Sequence, residues 1–175
     1  VAIARSRLNW SYSQAKRTLE GSWDCSSMVA RCYQEAGFDL KAIMGAQWCM
    51  TTVGWKDFAT RNKQFIEEAD LQPGDVIWYG RPSGNHMMMY AGNGQVIHAK
   101  GEKYGTVYEP LANTGYRSAR QVYFFRPYLN LLDESTDDSS DDAYFADSSG
   151  YGPDNGIVMQ VPGGTVWTGW TVFES

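Results

Sequence analysis

The sequence predicts an α+β domain, with N-terminal helices packed on one central antiparallel sheet of about five or six strands. Three observations carry this. Apolar residues recur at helical spacing after Asp24, short runs rich in β-branched and aromatic residues come after Asp75, and Gly92-Asn93-Gly94 supplies a tight hairpin turn between two of those runs. A helix-first, sheet-second order is the mark of α+β domains rather than of alternating βαβ units.

Ala2 to Leu8 alternates apolar and basic residues as a short helix would, and Asn9 to Gly21 reads as an aromatic loop. From Cys25 onward Met28, Val29, Cys32, Tyr33 and Ala36 fall on one helical face. Asp24 is a strong N-cap residue and Gly37 stands where a C-terminal cap is expected, so Cys25 falls in the first turn of a buried helix. Residues 41 to 66 suit one or two further helices. Leu71-Gln72-Pro73-Gly74-Asp75 is a turn that launches a strand. Strands are expected at Val76 to Tyr79, Met87 to Ala91, Gln95 to Ala99, Thr106 to Glu109 and Gln121 to Arg126.

A low-complexity Ser/Asp stretch at 133 to 150 places an acidic linker over 129–150, after a domain at 1–128. Ile157 to Val161 and Thr165 to Phe173 flank Pro162-Gly163-Gly164 and read as a lone β-hairpin within 151–175. Two strands are too few to fold alone, so this segment either packs on the main domain or opens a further module.

The net charge of −5 over 175 residues conceals two opposite regions. Residues 1–126 hold all 15 Lys and Arg against 11 Asp and Glu, a net +4, whereas the remaining 49 residues hold nine acids and no base. A basic surface suits an anionic polymer, and its sign alone does not choose which; the acidic segment is read as a linker or as a flap over the basic domain. No apolar run approaches the roughly 20 residues of a membrane-spanning helix, so no membrane insertion is expected. Val1 opens without a charged and apolar leader, which leaves localisation to be argued from chemistry.

Three cysteines, Cys25, Cys32 and Cys49, are an odd number with no Cys-x-x-Cys pair, which supports neither a disulfide framework nor a zinc ribbon. A cysteine in the first turn of a helix has its thiolate favoured by the helix N-terminus, so Cys25 is a nucleophile candidate, while Cys32 and Cys49 read as inert core thiols. The two histidines, His86 and His98, lie on either side of the hairpin turn. Pairing across that turn brings together residues whose numbers sum to about 186, and a bulge or loop shift decides whether the two imidazoles meet. A cysteine, a histidine and a third polar group that orients the imidazole form the usual arrangement for thiol catalysis.

Tyr12, then Trp23-Asp24-Cys25-Ser26-Ser27-Met28-Val29, then Leu71-Gln72-Pro73-Gly74-Asp75-Val76, then the run from His86 to Ala99, resemble in order and spacing the NlpC/P60 family of cell-wall cysteine peptidases. The resemblance covers residues 10 to 126. It implies a papain-like fold in which Cys25 attacks a carbonyl, His86 is the general base and later acid, and His98 holds the imidazole. It further implies that Tyr12, Asp24 and Ser26 line the substrate pocket, with Asp24 suited to a free amino group. The implied substrate is the peptide stem of peptidoglycan, cut between D-glutamate and the diamino acid, with no metal, cofactor or nucleic acid, by a monomer outside the cell or at the wall. An N-acetylmuramoyl-L-alanine amidase of phage-lysin type, or a non-catalytic wall-binding or metal-binding domain, are the alternatives. The run Met87-Met88-Met89 departs from the small and β-branched residues usual there and puts pocket width in question. Trp10, Trp23, Trp48, Trp55 and Trp78 are read as core rather than as substrate platforms.

Overall fold

The computed structural model describes residues 1–41, 51–81, 84–129, 158–161 and 165–168. The chain divides into two compact units, Val1–Ser135 and Thr136–Ser175. In the second, β9 (Val158–Val161) and β10 (Thr165–Thr168) pair antiparallel, as the hairpin pattern predicts. Trp48, Cys49 and the acidic stretch lie outside the described residues.

The first unit opens with α1 (Ala2–Arg5), shorter than the helix expected through Leu8. The segment expected to be an aromatic loop is not all loop: β1 (Ser11–Tyr12) pairs in parallel with β2 (Ser22–Trp23). Next come α2 (Cys25–Glu35), α3 (Thr52–Arg61), β3 (Phe65–Ile66), β4 (Val76–Arg81), β5 (Gly84–Gly92), β6 (Gln95–Gly101), β7 (Gly105–Pro110) and β8 (Val122–Phe125). Six strands form one antiparallel sheet in the order β3-β8-β4-β5-β6-β7. This is the α+β architecture read from the sequence.

Strand alternation divides the apolar residues between two cores. Val76, Trp78, Met87, Met89, Ile97 and Ala99 join the cluster that contains Met28, Val29, Cys32 and Tyr33 of α2. Ile77, Tyr79, Met88 and Val96 pack instead with Leu111 and Tyr116. The three methionines are thus shared between both cores and all fully buried or nearly so, each contributing about 2 kcal/mol of burial. Trp23, Trp55 and Trp78 are core residues, as expected, and Trp10 packs on Trp23 with ring centroids 4.6 Å apart.

Two turns set the register. Asn93 and Gly94 both have positive φ, 51° and 69°, the conformation of a two-residue hairpin turn whose twist matches its strands. Gly105 has φ +64°, and a Cβ there would stand 2.7 Å from the Trp10 carbonyl oxygen. Only glycine lets the N-terminal segment lie so close to β7, where Trp10 O accepts from Thr106 N at 2.8 Å. At the far edge the fully buried Asp75 accepts from Gln72 N at 2.7 Å and from Arg126 Nε and Nη2 at 2.8 and 2.9 Å. Pro127 O accepts from Gln64 Nε2 at 2.6 Å, and Tyr128 packs on Phe38 with centroids 5.7 Å apart.

Candidate active site

The cysteine side is built locally. Asp24 leaves the extended region (φ −106°, ψ −177°) and caps α2. Its Oδ1 accepts from Ser27 N at 2.8 Å, while its own N–H donates to Ser27 Oγ at 2.8 Å, a reciprocal capping box. Ser26 Oγ donates to the same Oδ1 at 3.1 Å, and Oδ2 pairs with Arg17 Nη1 at 3.1 Å. Both carboxylate oxygens of Asp24 are therefore engaged, and a substrate amine would share Oδ2 with Arg17. Register pairing sets Tyr12 beside Trp23, which brings its phenol into the fields of Cys25 and Asp24.

Cys25 is only 6% exposed. Burial pushes its thiol up to about 11, the Asp24 charge adds to this, and hydrogen bonds from the Met87 and Ser26 backbone together with the Arg81 charge oppose it. These influences favour the neutral form of the Cys25 thiol. It lies against the Met87 backbone, one residue from His86, and among the described residues no hydrogen bond joins it to the His86 ring.

The histidine side is built across four strands. Met89 pairs with Ile97 and Tyr90 with Val96, so the register sum is 186 and a bulge comes next at Gly92. Carried one step further, that register sets His98 opposite Met88, one diagonal step from His86 and on the same face. The rings meet: His86 Nε2 lies 2.7 Å from His98 Nδ1. The same step recurs on both sides. His98 pairs with Val107, and two residues on, Glu109 Oε1 lies 2.7 Å from His98 Nε2. His86 pairs with Tyr79, and two residues on, Arg81 Nη2 lies 3.2 Å from His86 Nδ1. Lys100 Nζ reaches the Glu109 carboxylate at 2.8 Å and completes the row.

An ionised carboxylate only accepts, and this fixes every proton in the row. Glu109 takes the Nε2 proton of His98; His98 Nδ1 then accepts from His86 Nε2–H; the lone pair of His86 remains on Nδ1 and faces Arg81. Burial raises Glu109, but hydrogen bonds from Lys100 and His98 outweigh it and hold the carboxyl below its ordinary value. Burial drives His86 well below its usual range, reinforced by the charges of His98, Arg81 and Lys100, and lowers His98 against the pull of Glu109. Both rings are neutral in the resting site.

Cys25, His86, His98, Tyr12, Asp24 and Ser26 thus occupy one region, while Arg81, Lys100 and Glu109 were missed from sequence. The signal for them was register: once the hairpin turns are placed, Arg81 and Glu109 are each a single diagonal step from a histidine. Among the described residues no group of three or more His, Cys, Asp and Glu is gathered as metal ligands would be. The imidazole nitrogens face one another and their neighbours rather than a shared point.

The NlpC/P60 family profile matches residues 9–126. The chain belongs to the NlpC/P60 family. "Probable endopeptidase p60" of Listeria seeligeri is 30% identical over 111 residues, which cover 62% of this chain and 19% of that protein. A "Gamma-D-glutamyl-L-lysine dipeptidyl-peptidase" of Bacillus cereus is 28% identical over 98 residues, 54% of this chain and 26% of that protein. The chain spans about a fifth to a quarter of the length of these relatives. Among solved structures, NlpC1 from Trichomonas vaginalis aligns with a TM-score of 0.52 at 23% identity over 73% of this chain and 42% of that one, a likeness of fold. The α+β fold read from the sequence is the fold shared with solved NlpC/P60 structures.

Proposed function

We propose that this chain is a cysteine peptidase of the bacterial wall, which cuts the peptidoglycan stem peptide at the bond between the γ-carbonyl of D-glutamate and the adjoining diamino acid. The observation that carries the reading is the hydrogen-bonded row that leaves the lone pair of His86 on Nδ1, on the strand whose next residue, Met87, sets its backbone against the Cys25 thiol. Family membership and the names of the relatives supply the substrate class.

In this mechanism His86 Nδ1 takes the Cys25 proton as the sulfur adds to the scissile carbonyl carbon. Backbone N–H groups at the start of α2 face the developing oxyanion. His98 and Glu109 stabilise the imidazolium through Nε2. The C–N bond breaks as His86 gives its proton to the leaving amine, and water then releases the acyl group as a carboxylic acid and restores the thiol. Burial keeps Cys25 protonated until a substrate excludes water and orders this transfer, so the thiol is protected at rest. Asp24, Tyr12 and Ser26 line the side of the pocket that takes a free amine. The enzyme acts as a monomer at the wall or outside the cell, with 129–150 as an acidic linker and 151–175 as the start of a further module or a packed appendage.

Digestion of purified peptidoglycan by this chain and by its Cys25→Ala variant, read by mass spectrometry, tests the proposal. New fragments ending in D-glutamate, absent with the variant, are expected. Intact stems freed from muramic acid would make the enzyme an amidase, and no Cys25-dependent product would remove the catalytic reading.

A further inference from the structure

Arg81 takes no part in these bond-making and bond-breaking steps, and its surroundings ask for a role. It ends β4 opposite Gly84, with its guanidinium over the Tyr79 ring at 5.9 Å and Nη2 on the lone pair of His86 Nδ1. Its charge reaches Cys25 and Tyr12 as well as both histidines. Arg7, Arg17, Arg31, Lys100, Arg117 and Arg126 each pair with a carboxylate, but among the described residues none pairs with Arg81. Its Nε is moreover buried with no hydrogen-bond partner. A guanidinium that rests on an imidazole with an N–H left over is a fork lacking its anion, and the matching anion is a carboxylate, which accepts two parallel hydrogen bonds.

We infer that Arg81 is a specificity residue of the Cys25 cleft, binding a substrate carboxylate close to the scissile carbonyl, and that this is the α-carboxylate of the γ-linked D-glutamyl residue. The chemistry of the linkage requires such a group: a glutamyl residue joined through its γ-carbonyl keeps its α-carboxylate free. The anion site stands on the geometry of Arg81, whereas the identity of its carboxylate rests on the proposed cleavage of the D-glutamyl bond. Binding also has a consequence for the base. As the guanidinium turns to the carboxylate, it leaves His86 Nδ1, and the lone pair becomes available to the Cys25 thiol. A stem bearing an α-carboxamide offers no charge and brings N–H donors toward a donor-only side chain, so it is the poorer substrate.

Two measurements test this. The first tracks alkylation of Cys25, located by peptide mapping, with iodoacetate and with iodoacetamide, which differ in charge but hardly in size. The ratio of the two rates is expected to fall about tenfold in Arg81→Gln and to stay within about threefold of the parent in Arg81→Lys. An unchanged ratio in Arg81→Gln overturns the anion site, whether or not the peptidase reading holds. The second compares kcat/KM on two synthetic tetrapeptide stems, one with the free α-carboxylate and one with the α-carboxamide. The parent is expected to favour the carboxylate about tenfold or more, and Arg81→Gln to bring the ratio near one. Equal loss on both stems overturns the specificity role while leaving the cleavage reading intact. If the parent cuts neither stem, the cleavage reading fails, the assignment to D-glutamate falls with it, and the alkylation ratio alone decides the anion site.

Discussion

The proposed nucleophile and the proposed base are held in place in different ways. Cys25 is placed by four consecutive residues: Asp24 caps, Ser27 closes the box, and the helix that begins there has its apolar face in the core. His86 is placed by four strands, through diagonal contacts that join residues 5 to 12 positions apart in sequence. A local device tolerates change elsewhere in the fold, because its hydrogen bonds close within one turn of helix. A row that crosses strands is only as good as each register, and one slipped strand would turn its side chain to the other face. The two sides should therefore respond differently to mutation.

The largest contrast is expected at the base. His86→Gln should lower kcat/KM on a stem peptide about a thousandfold or more, since it removes the proton acceptor and breaks the row at its centre. Circular dichroism should show the fold retained, because the glutamine fills the same space. A change of less than about tenfold would show that another group accepts the thiol proton.

Glu109→Gln is expected to cost about 10- to 100-fold in kcat, as removal of an orienting partner does in comparable arrangements. The amide can donate as well as accept, so it no longer dictates the His98 tautomer. Loss of the charge removes an interaction that raises His98, so the acid limb of the pH–rate profile should move to lower pH, and Glu109→Asp should recover part of the rate. A loss with the profile unmoved would assign Glu109 to packing alone.

On the nucleophile side the expected effects are smaller and separable. Asp24→Ala should cost about 1 kcal/mol of stability in denaturant unfolding, the usual value of an N-cap. Asp24→Asn keeps an acceptor for Ser27 N and should cost less. Because the Asp24 charge raises the Cys25 thiol, both variants should shift the pH midpoint of Cys25 alkylation downward. A midpoint that moves upward would contradict the placement of that charge.

The smallest effect concerns stability against pH. His86 and His98 are held below their ordinary value of 6.5, so the unfolded chain takes up protons that the folded one refuses. Stability from this source is full above pH 6.5 and declines as the pH falls below it. Cys25, raised from 9.0 to about 11, works in the other direction: the unfolded thiol ionises first, and stability declines as the pH rises above 9.0. Thermal unfolding should therefore show a plateau between these limits. Cys25→Ser should make the alkaline decline shallower, the remainder coming from Cys32, which burial raises to about 12, and should leave the acid side unchanged; a matching change on the acid side would break the assignment.

These two modes of construction also decide what could be read from the sequence. The capped helix with Cys25 was legible to the residue, because Asp24, the apolar spacing and Gly37 are all local signals, and Gly37 does take positive φ, 99°. The strands were legible within a few residues, since alternation and the Asn93-Gly94 turn mark them. The two-residue strands β1 and β2 were not, for they are joined through Ser11 N to Gly21 O and Ser13 N to Trp23 O, too short a ladder to leave an alternation pattern in the sequence. Whether His86 meets His98 could not be settled from a hairpin sum. The answer depends on side-chain reach across a diagonal, which imidazoles have. Glu109 and Arg81 became visible only when three registers were fixed together, because each lies on a strand whose partner must be known first. The methionine run, which looked like a change in pocket width, is explained by alternation into two cores.

Arg126 bears on how this domain could be moved between proteins. Its guanidinium neutralises a carboxylate with no exposure to water, and the next two residues fasten the edge of the sheet through Gln64 and Phe38. A graft whose seam fell before Arg126 would strand the Asp75 charge in the interior, at about 3 to 5 kcal/mol, enough to unfold a typical small domain. A seam after Tyr128 would carry the latch along with the domain. Chimaeras that join this fold to new targeting segments should therefore succeed or fail according to whether Arg126, Pro127 and Tyr128 travel with it.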